Sequence, residues 1–259
     1  MINPSQYSKH YRECIGFTNQ GNAKKHLSGK DLPPEINYHY IENLNSRIAE
    51  ILITINSQAH PSVKRNDMDE FCKSHIFDAY KKIKSASLIP KFNNRGGRKE
   101  EVFFRWMRGY AVLEYFNPAL SKLFKIELGS ILQIGDDQLT NIDTFKKTPT
   151  ADLQIKKNGQ QINLEIQSGF QGVNDIKEHK IKEARRVIDK SGIKTICIHF
   201  DLFNGQVAIL RLDTIEENDV NFETREQMEG QTVLKIEQKD FKWRLLDPIP
   251  SFTELKLDI

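Results

Sequence analysis

Apolar residues recur along this chain with two different periods, and the change of period divides it. From Glu35 to Ser57 the positions Ile41, Leu44, Ile48, Ile51, Leu52 and Ile55 fall at three- and four-residue steps, the buried face of a helix. A second helix follows His60-Pro61, with Asp67 or Asp69 to cap it and Phe71, His75, Ala79, Ile83 and Ala86 as its stripe up to Pro90. His75 reads as a satisfied core histidine, since no His, Cys or Asp stands at ligand spacing from it. A third helix, Glu100 to Phe116, buries Phe103, Trp106, Met107, Tyr110 and Ala111 and is expected to stop at Asn117-Pro118. Residues 1 to 34 are polar and end on Pro33-Pro34; no regular structure is expected there.

Past Pro118 the pattern shortens toward strands. Phe124 to Ile134 reads as the first. Thr150 to Gly169 holds two alternating runs about Asn158-Gly159, a strong two-residue hairpin signal because a type I′ turn needs positive φ twice. A helix follows from Asn174 or Asp175 to Lys190, with Ile181, Ala184, Val187 and Ile188 inward. Ile193 to His199 is apolar apart from its ends, as a strand buried on both faces would be, and Asn204-Gly205 can turn it back along Val207 to Leu212. Residues 213 to 230 are acidic, which disfavours DNA contact. Another strand begins at Thr232, and Lys239 to Arg244 is basic and aromatic, suited to recognition, to dimerisation or to closing the core.

The turn fixes the hairpin's register. With Lys157 opposite Gln160, Ile155 faces Ile162, Leu153 faces Leu164, and Asp152 faces Glu165. One side is then apolar, and the other carries Asp152, Gln154, Asn163, Glu165 and Gln167. Like charges across a ladder are unfavourable, roughly within the 0.2–1 kcal/mol of cross-strand pairs, so the pair invites a cation. A divalent metal would supply it. An ordinary solvent-facing row, neutralised by Lys156 and its neighbours, is the competing reading.

Composition adds limits. The formal charge of +3 is a weak pointer to nucleic acid. Cys14, Cys72 and Cys197 lack metal-ligand spacing and suggest free thiols in a reducing compartment. No apolar signal core and no membrane-spanning run occurs, so no membrane association and a cytoplasmic location are expected. Arg95, Arg98 and Lys99 flank Gly96-Gly97 ahead of a helix, and Lys182, Arg185, Arg186 and Lys190 form a basic ridge. Each set is either a phosphate contact or a solvated surface. Asp136-Asp137 is a poor metal pair, since adjacent acids on a strand point apart.

An Asp opening one strand, a hairpin, Glu-x-Gln on the next strand and then a basic helix resembles the PD-(D/E)XK nuclease superfamily, and within it the type II restriction endonucleases. Asp152 matches the motif's Asp, Glu165 its acidic residue and Gln167 its Lys; Ala151 stands at the loosely kept Pro. The resemblance spans roughly residues 97 to 200. It implies an α/β fold with a mixed central sheet flanked by helices. A helical N-terminal region (1–90) would pack on a nuclease core (91–259) that carries C-terminal recognition or dimerisation elements. Gly97-x-x-x-Glu101-x-x-Phe104 resembles the family's first motif and nominates Glu101 as a supporting carboxylate, with Glu114, which projects among the apolar stripe, as the alternative. The implied activity is Mg²⁺-dependent hydrolysis of double-stranded DNA at a short specific site, leaving 5′-phosphates. Asp152 and Glu165 would hold the metal and Gln167 would orient the water. A homodimer and a companion DNA methyltransferase in the host would accompany a restriction role. A repair or junction-resolving nuclease, or an inactive DNA-binding protein of the same fold, are the alternatives.

Overall fold

The structure, a computed structural model, describes residues 3–32, 34–92, 97–135, 150–216, 222–225 and 230–257. The chain forms two compact units, Met1–Asn37 and Tyr38–Ile259. The first holds two helices, α1 (Pro4–Cys14) and α2 (Gln20–Leu27), where the composition suggested irregular chain. Asparagine is the reason. Asn3 accepts from the Ser5 amide at 3.0 Å, and Asn19 from those of Gly21 and Asn22 at 2.7 and 3.1 Å, so residues that read as loop formers act as N-caps.

The second unit opens with α3 (Tyr38–Gln58), then α4 (Met68–Cys72), a π-helical turn (Lys73–Asp78) and α5 (Ala79–Ser85). The next helix, α6, runs Lys99–Phe124 with Pro118 inside it, so the expected stop and the expected strand from Phe124 are both corrected. Proline removes one helical hydrogen bond and orphans the carbonyl four residues back. That carbonyl, of Glu114, accepts from Arg65 Nη1 at 3.4 Å. Beyond Pro118 the helix buries Ala119, Leu120, Leu123 and Phe124, roughly 1.5–3 kcal/mol for each large side chain, which outweighs the break. It ends where Lys125 takes φ +50° and Lys157 Nζ donates to the Phe124 carbonyl at 2.6 Å.

The strands follow as β1 (Leu132–Gln133), β2 (Leu153–Lys157), β3 (Gln160–Gly169) and β4 (Asp175–Lys177), then helix α7 (Glu178–Ser191). After it come β5 (Lys194–Asp201), β6 (Gln206–Arg211), β7 (Phe222–Arg225), β8 (Gln231–Lys235) and β9 (Phe241–Arg244). Six of them make one mixed sheet in the order β1-β2-β3-β5-β6-β9, parallel only between β3 and β5, with helices on both faces. The other three make a small sheet, β4-β8-β7. Asp175 to Lys177 therefore form a strand paired with Val233 to Lys235, where the spacing suggested the start of a helix. The basic-aromatic segment becomes the edge strand β9, which buries Trp243 and so closes the core.

The hairpin register is the expected one: Leu153 pairs with Leu164 and Ile155 with Ile162, across a turn in which Asn158 and Gly159 have φ +51° and +82°. Its apolar face packs toward α6, where Phe116 stacks on Phe200 of β5 with ring centroids 3.9 Å apart. The polar face is covered, against the competing reading of a solvent-facing row: Asn163 and Glu165 are 6% and 5% exposed. On that side α7 and the small sheet bury Ile176, Ile181, Ala184, Cys197, Ala208, Leu212 and Ile236 together. No described helix is long and apolar enough to cross a membrane.

Candidate active site

Asp152 stands where β2 parts from β3. Its Oδ2 accepts from the Ile166 amide at 2.7 Å, replacing a ladder bond that the diverging strand no longer makes. Its carbonyl accepts from the amides of Ile134 and Gly135 at 3.0 and 3.1 Å. Gly135 permits that approach, since a Cβ there would lie 3.1 Å from the Asp152 Cα. Three backbone amides thus fix this residue, one through its carboxylate and two through its main-chain carbonyl. A hollow of about 90 Å³ beside it is lined by Asp152, Ile166, Gln167 and Ser168, by Gly109, Tyr110, Val112 and Leu113 of α6, and by Gln133 and Gly135.

Glu165, beside these residues on β3, turns toward α7. Its Oε2 accepts from Lys180 Nζ at 3.0 Å, a pair in which the lysine side chain is only 20% exposed. Sequence reasoning missed this lysine. A signal existed: at 100° per residue Lys180 sits about 40° from Ala184 on the helical wheel, at the edge of the buried stripe rather than on the outer ridge. The two carboxylates and the lysine gather round Cys197, the register partner of Glu165. Burial pushes that thiol well up, Glu165 and then Asp152 push it further, and Lys180 opposes them.

On the α6 side, Glu114 is largely buried and hydrogen-bonds Gln133, which lines the hollow. It also accepts from Asn117 at 3.2 Å and lies 3.9 Å from His75. Burial depresses the half-buried His75, with Glu114 opposing. Glu101 is exposed on the first turn of α6, eight residues or about 12 Å along the helix from Gly109, and does not line the hollow. Of the two candidate carboxylates on this helix, Glu114 hydrogen-bonds a residue that lines the hollow, whereas neither of them lines it directly.

The basic residues stand apart from this cluster. Lys182 pairs with Glu178 at 2.7 Å, Arg185 with Glu216 at 3.0 Å and Arg186 with Glu183 through two bonds of 2.7 and 2.8 Å. Three residues of the ridge are accordingly paired with acids, two of those acids on α7 itself and the third, Glu216, beyond β6. Arg98 lies 3.6 Å from Glu100 and over the Tyr40 ring, and Lys99 begins α6; Arg95, Gly96 and Asp136-Asp137 lie outside the described residues.

The donors suit a hard cation. Two carboxylates, Asp152 and Glu165, are what Mg²⁺ takes from a protein, with waters and a substrate phosphate completing its shell. Among the described residues no group of three or more His, Cys, Asp and Glu that could hold a metal ion is assembled.

No family model and no curated protein matches the chain. Among solved structures the chain is similar to Hjc, a Holliday junction resolvase of the archaeal hyperthermophile Archaeoglobus fulgidus. The TM-score is 0.31 and the identity 10%, over 51% of this chain and 93% of the resolvase chain.

Proposed function

We propose that this chain is a Mg²⁺-dependent endonuclease that hydrolyses phosphodiester bonds in double-stranded DNA, with Asp152 and Glu165 as the metal-holding carboxylates. The observation that carries the reading is Lys180 at 3.0 Å from Glu165, beside an Asp152 fixed by backbone at the strand fork. Gln167 has no charge to offer an attacking water. Lys180 supplies the missing cation from the helix instead of the strand, near the place where negative charge accumulates on phosphorus. The Gln167 amide, lining the same hollow as Asp152, orients water by hydrogen bond. Glu114 acts through Gln133 as a positioning residue on the opposite wall. When bound, the metal supplies Lewis acidity and a lowered pKa for coordinated water.

The finer form of the proposal is a type II restriction endonuclease, a homodimer cutting both strands at a short symmetric site and protected against in its host by a DNA methyltransferase. Incubation of the pure protein with phage and plasmid DNA, with Mg²⁺ or EDTA, tests both levels. Discrete fragments that require Mg²⁺ support the restriction form. A smear, or cutting of branched DNA only, leaves the nuclease and removes the restriction role. Intact DNA across metals and substrates removes both.

A further inference from the structure

A groove of about 480 Å³ opens beside the Asp152 hollow. The two share walls: Gly109 lines the hollow and its neighbour Arg108 the groove, while Gln167 and Ser168 line the hollow and Phe170, just past the end of β3, the groove. Phe170 is three residues from Gln167, at most about 10 Å of extended chain.

The Arg108 guanidinium lies 3.6 Å from the Phe170 ring centroid and 5.2 Å from that of Phe104. Among the described residues its Nε is buried without a hydrogen-bond partner, and no carboxylate pairs with it. Burial and the neighbouring Arg105 lower its pKa to about 10, which leaves it charged at neutral pH. A half-buried cation without a counter-charge is prepared for an anion from outside. The acid lining the groove, Glu50, is held by Arg47 at 2.9 Å.

Phe203, at the tip of the β5–β6 hairpin, faces the same groove and is 68% exposed. The tip that presents it is built. Asp201, fully buried, accepts from the amides of Phe203 and Asn204 at 3.2 Å each. It also accepts from the side chains of Asn204, Asn174 and Gln206 at 2.7, 2.9 and 3.2 Å. On the facing loop Gly172, at φ +73°, leaves room for the ring, which a Cβ there would approach to 3.3 Å. A water-exposed aromatic on a fixed backbone, lining one groove with a guanidinium that no described carboxylate pairs, is the combination with which proteins hold unstacked nucleotides.

We propose that this groove seats one unstacked nucleotide of the DNA next to the cleaved phosphate, its base on Phe203 and its phosphate on Arg108. The inference rests on the nuclease reading and narrows its substrate to DNA that presents a nucleotide out of the helix. That nucleotide comes either from a duplex that extrudes a base or from a free single strand.

Fluorescence anisotropy in EDTA, with the full wild-type chain, compares a perfect duplex, the same duplex carrying one unpaired nucleotide, and a splayed-arm DNA. Base stacking on an aromatic is worth roughly fivefold to 150-fold, so at least one unpaired DNA is expected to bind about fivefold or more tighter than the duplex. Phe203→Ala, a substitution of an exposed ring whose fold is checked by thermal melting, removes that preference and leaves duplex binding; Arg108→Gln weakens all three. Preference for the bulged duplex identifies an extruded base, and preference for the splayed arm alone identifies a single strand. Equal binding of the three DNAs, or a preference that survives Phe203→Ala, overturns the seat. Cleavage of the same DNAs with Mg²⁺ separates the two readings. Cutting without a Phe203-dependent preference removes the seat alone, whereas the preference without any cutting removes the nuclease and leaves a DNA-binding groove.

Discussion

Replacing Lys180 by methionine removes one positive charge from the candidate site and keeps most of the aliphatic stem. At 3.0 Å the gross attraction between Lys180 and Glu165 is about 5.5 kcal/mol at an effective dielectric of 20. Desolvation of both groups offsets most of it, and the lysine side chain is 20% exposed, so solvent screens the remainder. Removing one partner of a wholly buried pair costs about 3–5 kcal/mol; here about 2 kcal/mol of stability is expected to go, read as a shift in urea midpoint at unchanged slope. The rate should suffer more. One preorganised donor aimed at developing charge is worth about 10²–10³ in rate, so single-turnover cleavage by Lys180→Met should fall about 100-fold with the fold intact. Gln167→Lys added to that variant returns an ammonium from the next outward position on the same face of β3 and should recover about tenfold. If Lys180→Met cuts DNA at more than a third of the wild-type rate, the lysine is a structural counter-ion and its assignment to the chemistry is wrong.

Two further outcomes follow from packing. His199, buried with Nε2 2.8 Å from Asn174 Oδ1, has its pKa depressed by burial to about 4, with Asp201 opposing. The unfolded chain takes that proton near 6.5, so the contribution to stability is complete above about pH 6.5 and is lost as pH falls toward 4. The loss amounts to about 3 kcal/mol. His199→Gln, which keeps a donor for Asn174 and cannot titrate, should flatten the acid limb of urea-derived stability by that amount, and an unchanged limb would disprove the assignment. Pro118→Ala restores an amide opposite the Glu114 carbonyl, now served by Arg65 at 3.4 Å, and should raise the melting stability by about 1 kcal/mol, part of the roughly 3 kcal/mol an interior proline costs. A loss of stability would show that the break at Pro118 is required by packing.

The hairpin was legible because both of its signals are local: Asn158-Gly159 sets the turn, and period-two alternation sets the faces. The mixed sheet followed from the buried strand beyond α7. Features decided by distant residues were not legible. The extension of α6 past Pro118 depends on Arg65, 53 residues earlier. Asn174 is engaged by Asp201 and His199 instead of capping a helix, and β4 exists because β8 pairs with it. Lys180 belongs to a run of basic residues; its place on the helical wheel sets it at the edge of the buried stripe, but its partner Glu165 is supplied only by the packing of α7 over β3, while Lys182, Arg185 and Arg186 bond to other acids. Glu114 could be nominated from its position among apolar residues, but its tie to Gln133 crosses a segment whose strand was placed too early.

The most direct test of the central claim is single-turnover cleavage by Asp152→Asn beside wild type at saturating Mg²⁺, with DNA binding measured on both in EDTA. Asparagine keeps an oxygen for the Ile166 amide, so the fork should hold and binding should persist. Cleavage is expected to fall by at least about 100-fold, the lower range for removing one group that stabilises developing charge. Wild-type cleavage that Asp152→Asn retains, or that proceeds in EDTA, would contradict that claim.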